Sequence, residues 1–386
     1  MIFYNCKIFT MNQSDKIIDC GYVILENGRI TAVAEGTPDD CAGGLDLGGT
    51  SLYPGFVDAH THLGLASSGV GVEGEDFNED SDPVTPQLRV LDAVNPTDAC
   101  FADAIAAGVT CCAVSPGSTN TIAGAIIAMK THGVRADKML MREIGMKFSL
   151  GENPKMTYLN KDAAPVTRMG VAALIREALF KAKRYAKALE DAKNDPELDE
   201  PEFDLKCEAL LPLLRRETRA HFHCHRSDDI FTAVRIAKEF SLDYVLIHCT
   251  EGCLIADELA QENACAVVGP VISDRSKPEL AHFTPKNAAL LNAAGVKIAI
   301  CTDHSEVPIQ YLPLSAALAV KNGLDPRAAL RAITAQAAEI AGIADRVGSI
   351  EPGKDADFAV FCGDPLALAN DPVMVVADGK IVVDKL

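Results

Sequence analysis

The chain has 386 residues, 48% hydrophobic and 23% charged, an ordinary globular composition with room for one large α/β domain plus a smaller one. Its formal net charge of −18 and the absence of Trp argue against nucleic acid, which needs clustered Lys and Arg and stacking aromatics. No apolar run approaches the roughly 18 residues that span a bilayer, the opening residues lack a secretory pattern, and 13 cysteines without a C-x-x-C pair fit reduced thiols in the cytoplasm better than disulfides or a zinc knuckle.

Residues 1–50 alternate short β-like runs, "IFYNCKIFT" and "GYVILENGRITAVAEG", and "ENG" between apolar runs is a hairpin signal. The other end reads alike in "DFAVFCG" and "PVMVVADGKIVVDK". These runs predict a small β-sandwich built from residues 1–51 and 346–386. Between them, over 52–345, strands at "LYPGFVDAH", "GVTCCAVSPG", "RAHFHCH", "DYVLIHC", "CAVVGPVI" and "VKIAICTD" alternate with helical stretches. Strand–helix alternation argues for a parallel sheet with right-handed crossovers. Its length suits an α/β (β/α)8 TIM barrel, whose catalytic groups sit at the C-terminal strand ends. The alternative, an open doubly wound sheet, lacks a G-x-G-x-x-G or P-loop lysine to support it. A helical insertion near 160–215 departs from the alternation. It begins with the basic stretch 166–194 and continues into the acidic "DPELDEPEFD", so it either covers the barrel mouth or lies solvated on the surface.

The histidines fall on those strand ends. In "PGFVDAHTH" the strand period of two turns His60 and His62 to one face, and neutral imidazole is the commonest protein metal ligand. "RAHFHCHR" puts His221, His223 and His225 on one face, "VLIHCTEG" ends a strand with His248, and "AICTDHSE" ends another with Asp303. Strand after strand finishes in a potential ligand on the side where such barrels keep their sites.

This arrangement resembles the amidohydrolase superfamily of metal-dependent hydrolases over essentially the whole chain. "PGFVDAHTH" resembles its first-strand motif, "AAGVT" its second-strand region, and "GSIEPGKDADFAVF" the segment that leaves the barrel to rejoin the β domain. More narrowly, "NEDSDPVTPQLRVLDAVNP", "GENPK" and "HCHRSDDI" are similar to a subgroup related to imidazolonepropionases. The resemblance implies a divalent metal, expected to be zinc, as one or two ions per chain. It would be held by His60, His62, His223 and His248, with Asp303 as the eighth-strand acid. Zinc accepts nitrogen and oxygen ligands and lowers the pKa of bound water to around 7. Asp303 would take a proton from that water and return it to the leaving nitrogen. His248 or His225 would stabilise the oxyanion.

Many relatives add a carboxylated lysine or a glutamate as a further ligand, and "EIGMKFSLGENPK" offers both. Glu152, anionic without modification and read as lying at a strand end, is the expected choice, with Lys147 the lesser candidate. Ring-deaminating relatives and imidazolonepropionases place a glutamate three residues after the fifth-strand histidine, where this chain has Arg226. That departure speaks against ring deamination. Arg226 suits a bidentate grip on a substrate carboxylate, or else an ion pair with Asp228 or Asp229, and Lys155 is a second candidate anion contact. His221 reads as a hydrogen-bonded residue of the barrel interior, His304 as pointing off the ligand face, and the loop "EGEDFNEDSD" as a rim or cover of the pocket.

The sequence therefore predicts a cytoplasmic amidohydrolase that cleaves a C–N amide bond of a small carboxylate-bearing molecule, an N-acyl amino acid or dipeptide-like compound. The alternatives are a cyclic-amide hydrolase or deaminase, and a catalytically silent metal-binding protein. Homo-oligomers are common among enzymes of this shape, though no sequence feature marks an interface.

Overall fold

The computed structural model describes residues 1–69 and 71–386. Strands from both ends share one sheet: β1 (Ile2–Phe9), β2 (Ile17–Glu26), β3 (Arg29–Glu35), β4 (Leu45–Asp46), β5 (Ser51–Pro54) and, after the barrel, β14 (Phe358–Phe361), β15 (Met374–Ala377) and β16 (Lys380–Asp384). The order is β16-β15-β14-β5-β1-β2-β3, with β4 beside β1. The antiparallel pairing of β5 with β14, Tyr53 opposite Ala359, joins the two ends of the chain. The hairpin signal at "ENG" holds, and the other end of the chain has a matching turn. Asn27 and Gly28 between β2 and β3, and Asp378 and Gly379 between β15 and β16, all have positive φ, the conformation a tight two-residue turn demands.

Eight strands in sequence order make the nearly closed barrel: β6 (Phe56–Thr61), β7 (Val109–Val114), β8 (Ile122–Lys130), β9 (Leu140–Ser149), β10 (Arg219–Cys224), β11 (Tyr244–His248), β12 (Cys265–Val268) and β13 (Lys297–Ile300). The chain passes from one sheet to the other at Gly55, where a Cβ would lie 2.2 Å from the Thr110 Oγ1. The strand list from sequence lacks β8 and β9. The segment "IAGAIIAMK" is apolar throughout and buried at every position, so no period separates strand from helix. It follows β7 without a crossover helix and runs antiparallel to both neighbours, which corrects the expectation of an all-parallel barrel. The inserted helix Arg168–Asn194 is present, capped by Thr167. It buries Val171, Ile175 and Leu179 against the barrel flank, and no residue of 160–215 lines the central cavity.

Between β13 and β6 the barrel is closed at the C-terminal ends of its strands by individual bonds. The Asp58 carboxylate accepts from the Thr302 N–H (3.1 Å) and hydroxyl (2.6 Å), and the His62 N–H donates to the His304 carbonyl at 2.7 Å. Burial raises the Asp58 carboxyl to about 7.

Lys130, at the end of β8, ties the barrel to the terminal sheet. Its buried ammonium lies 3.0 Å from Asp355, 2.8 Å from Asp357 and 2.9 Å from Asp378. Lys130→Met would leave the buried Asp357 carboxylate without a counter-charge and take one of three cations from Asp355, a loss of about 3–5 kcal/mol. Urea unfolding should show the drop directly, and an unchanged midpoint would mean that Arg346, 2.6 Å from Asp355, suffices alone.

Candidate active site

The strand pleat and the barrel closure bring two histidine groups together at the C-terminal strand ends. In the first, the ligand atoms of His60, His62 and Asp303 lie within 4.8 Å of one another. Asp303 Oδ1 is 3.4 Å from both His60 Nε2 and His62 Nε2. In the second, His223, His225 and His248 meet the same limit. His60 and His248, with ring centroids 5.5 Å apart, make the two groups contiguous. Asp303 (φ 55°) and His248 (φ 68°) are held in the left-handed region, strained for residues with a Cβ and common where a site fixes them.

Outer contacts set the tautomers. His62 Nδ1 lies 2.7 Å from the Ser115 carbonyl and His248 Nδ1 2.7 Å from the Gly269 carbonyl. A carbonyl can only accept, so both rings carry the proton on Nδ1 and turn a bare Nε2 lone pair inward. Burial holds His60, His223, His225 and His248 below the usual imidazole pKa, so they are neutral at pH 7, as metal ligation requires.

This donor set fits a divalent cation. Asp303 Oδ1 and His60 Nδ1 are buried without a hydrogen-bond partner. The Asp303 oxygen faces the inward lone pair of His62, and two acceptors confront each other favourably only with a cation between them. Nitrogen and carboxylate ligands of this kind suit zinc and its neighbours. Lys147, fully buried on β9, places Nζ 3.4 Å from His60 Nε2, and burial lowers its ammonium pKa to about 8.

The other residues singled out from sequence lie apart. Strand β9 ends at Ser149, Gly151 turns the chain at φ 88°, and Glu152 opens the helix Glu152–Leu159 instead of ending a strand. Its N–H donates to Glu279 Oε2 at 3.0 Å and its carboxylate accepts from the Glu279 N–H at 3.4 Å, so Glu152 joins neither ligand group. Arg226 is bound to Asp228 through two bonds of 3.0 and 2.9 Å and, like Lys155, does not line the cavity. His221 is buried inside the barrel, but neither ring nitrogen has a hydrogen-bond partner, and burial lowers its pKa to about 3. His304 is buried and off the cavity wall, its Nδ1 accepting from the Ile309 N–H at 3.2 Å.

Above the histidines opens a cavity of about 320 Å³. The loop predicted to rim the pocket contributes Phe77, whose ring stacks on His62 with centroids 5.5 Å apart, and Asn78. The opposite wall comes from the loop after β12, "PVISDRSKPEL", with Lys277 lining the cavity and Glu279 buried behind it. Sequence reading passed over this loop. Its signal was a Gly-Pro turn and a run of charges directly after a barrel strand, where catalytic loops belong.

Comparison with known proteins identifies the family of this fold. The family model described as "Amidohydrolase family" matches residues 51–382. A solved amidohydrolase from Thermotoga maritima superposes with a TM-score of 0.95 at 38% identity, covering 99% of both chains. The amidohydrolase tasK of Hapsidospora irregularis is 30% identical over 94% of this chain, which spans only 40% of that protein's length. An imidazolonepropionase of Cupriavidus necator is 25% identical over 98% of this chain and 95% of its own.

Proposed function

The chain belongs to the amidohydrolase family and is a hydrolase of C–N bonds, and we propose that its substrate is a small linear amide bearing a carboxylate. The observation that carries the reading is the ionised Asp303 carboxylate, set between two imidazoles and facing a polar cavity. A silent metal-binding protein has no need of such an acid. His60, His62 and Asp303 would hold one divalent ion, which we assign to zinc, and His223 and His248 a second. When bound, zinc brings water within reach of deprotonation near pH 7 and withdraws charge from the scissile carbonyl.

Lys147, in place of Glu152, supplies the remaining anionic ligand. Its neutral amine attacks carbon dioxide, forms an N–C bond and releases a proton, leaving a carbamate. A pKa lowered to about 8 makes that amine available at neutral pH. Asp303 accepts the proton of the attacking water and delivers it to the leaving nitrogen. His225, its Nδ1 paired with the Thr250 hydroxyl at 2.8 Å, is the imidazole left to contact substrate.

No helix is long and apolar enough to cross a membrane among the described residues, and the cavity admits only a small molecule. Arg226 at the position of the ring-deaminating glutamate is turned to Asp228, which favours linear over cyclic amides. Zinc-reconstituted protein should hydrolyse members of a panel of N-acyl amino acids and dipeptides while leaving imidazolonepropionate and purine rings intact. Turnover confined to the cyclic compounds would refute the reading.

A further inference from the structure

We propose that Lys277 is the carboxylate anchor of the substrate and Glu279 its positioning residue. Together they select compounds whose carboxylate sits on the carbon next to the scissile nitrogen. The inference rests on the linear-amide reading above and names the group that sets its substrate class.

Among the described residues, Lys277 is the only lysine or arginine in the cavity wall. It is not a loose surface lysine. Its Nζ lies 2.7 Å from Glu279 Oε1 and donates to Asn153 Oδ1 at 3.1 Å. Both partners are fixed. Glu279 is 1% exposed and accepts the Glu152 N–H, and Asn153 sits on the first turn of the helix Glu152–Leu159. An ammonium has three protons. One is committed to Asn153, Glu279 balances the charge as an ion pair without a hydrogen bond, and the remaining protons are open to an anion in the cavity. The lysine side chain keeps 31% exposure while its glutamate keeps 1%, so the charge faces the cavity and its support faces the core.

The same two supports measure the distance to the reacting centre. Asn153 Nδ2 is 3.5 Å from His223 Nε2, and Glu279 Oε1 is 3.5 Å from His225 Nε2. Lys277 is thus one side chain removed from each of two histidines of the site. On this proposal the carboxylate lies one carbon from the scissile nitrogen, because the side chains that hold Lys277 also touch the histidines of the site. Glu152, expected as a metal ligand, instead pins Glu279 through its backbone N–H and so supports this anchor.

The test uses full-length, zinc-loaded protein in an Asp303→Asn background, which stops turnover, and titrates N-acetyl-L-alanine and its carboxamide by calorimetry. The acid should bind at least about 10-fold more tightly than the carboxamide, from one charge-assisted hydrogen bond. Lys277→Met should abolish that preference with carboxamide affinity unchanged, and Lys277→Arg should retain most of it. Equal loss for both ligands, or no preference in the parent protein, overturns the proposal and leaves the pair as a structural ion bridge. Should Lys277→Met not fold, the parent's acid-over-amide preference and its retention in Lys277→Arg still decide. Failure of the linear-amide reading would instead appear as no hydrolysis of acid or carboxamide by the Asp303 enzyme, a separate readout.

Discussion

Asp303→Asn should lower kcat by about 10³-fold or more while metal content stays close to that of the parent protein. Asparagine keeps the shape of the side chain, and its oxygen can still face His60 and His62, which approach Asp303 Oδ1 at 3.4 Å. What it cannot do is take a proton. The four imidazoles of His60, His62, His223 and His248 remain, with His62 and His248 locked in their ligating tautomers by carbonyls at 2.7 Å. Metal analysis and steady-state kinetics on one preparation therefore separate ligand from base. A variant that keeps its metal and turns over within a few-fold of the parent would show that another group moves the proton. Loss of metal together with activity would make Asp303 a ligand first.

The part of this site legible in the sequence is the part governed by short-range geometry. The i, i+2 alternation of a strand placed His60 with His62 and aligned His223 and His225 before any fold was known. Strand ends at His248 and Asp303 could be read because apolar runs stop there. Tautomers could not, since the carbonyls that fix them belong to Ser115 and Gly269 on other strand ends.

Misreadings have equally local causes. Glu152 reads as a strand end because an apolar run precedes it and Asn153–Pro154 follows. The structure shows that Pro154 is accommodated in the first turn of a helix, where a missing N–H does no harm. For Arg226 the sequence allows a carboxylate grip or an ion pair with Asp228 or Asp229, and the structure shows the pair with Asp228. The cation that does face the cavity, Lys277, owes its position to Glu279 and Asn153, the latter 124 residues away in the chain. No pattern within one segment announces such a partnership. Strand β8 escaped because its buried alanine, glycine and isoleucine carry no period, and the strand read before Glu152 proves to be β9, ending at Ser149 with Lys147 on it.

Lys147 is accordingly where the sequence reading and the geometry part most sharply, and a pair of variants decides between them. Lys147→Met should cut kcat/KM by about 100-fold or more and reduce bound metal, because it removes the buried amine beside His60 from which the proposed carbamate ligand would form. Glu152→Gln should leave both within a few-fold, since its carboxamide oxygen can still accept from the Glu279 N–H and its own N–H still reaches Glu279 Oε2. Neighbours sharpen the contrast. Lys147 is fully buried with Nζ beside His60, and register places it opposite His221 on β10, whose neutral ring adds no competing charge. An ammonium there would repel cations from the site, so the parent protein should gain metal and activity when reconstituted with bicarbonate present, and native mass spectrometry should record one added carbon dioxide per chain. Neither change should occur in Lys147→Met. If Glu152→Gln proves the damaging variant and bicarbonate has no effect, the extra ligand is the glutamate and the helix that carries it must shift toward the histidines when metal binds.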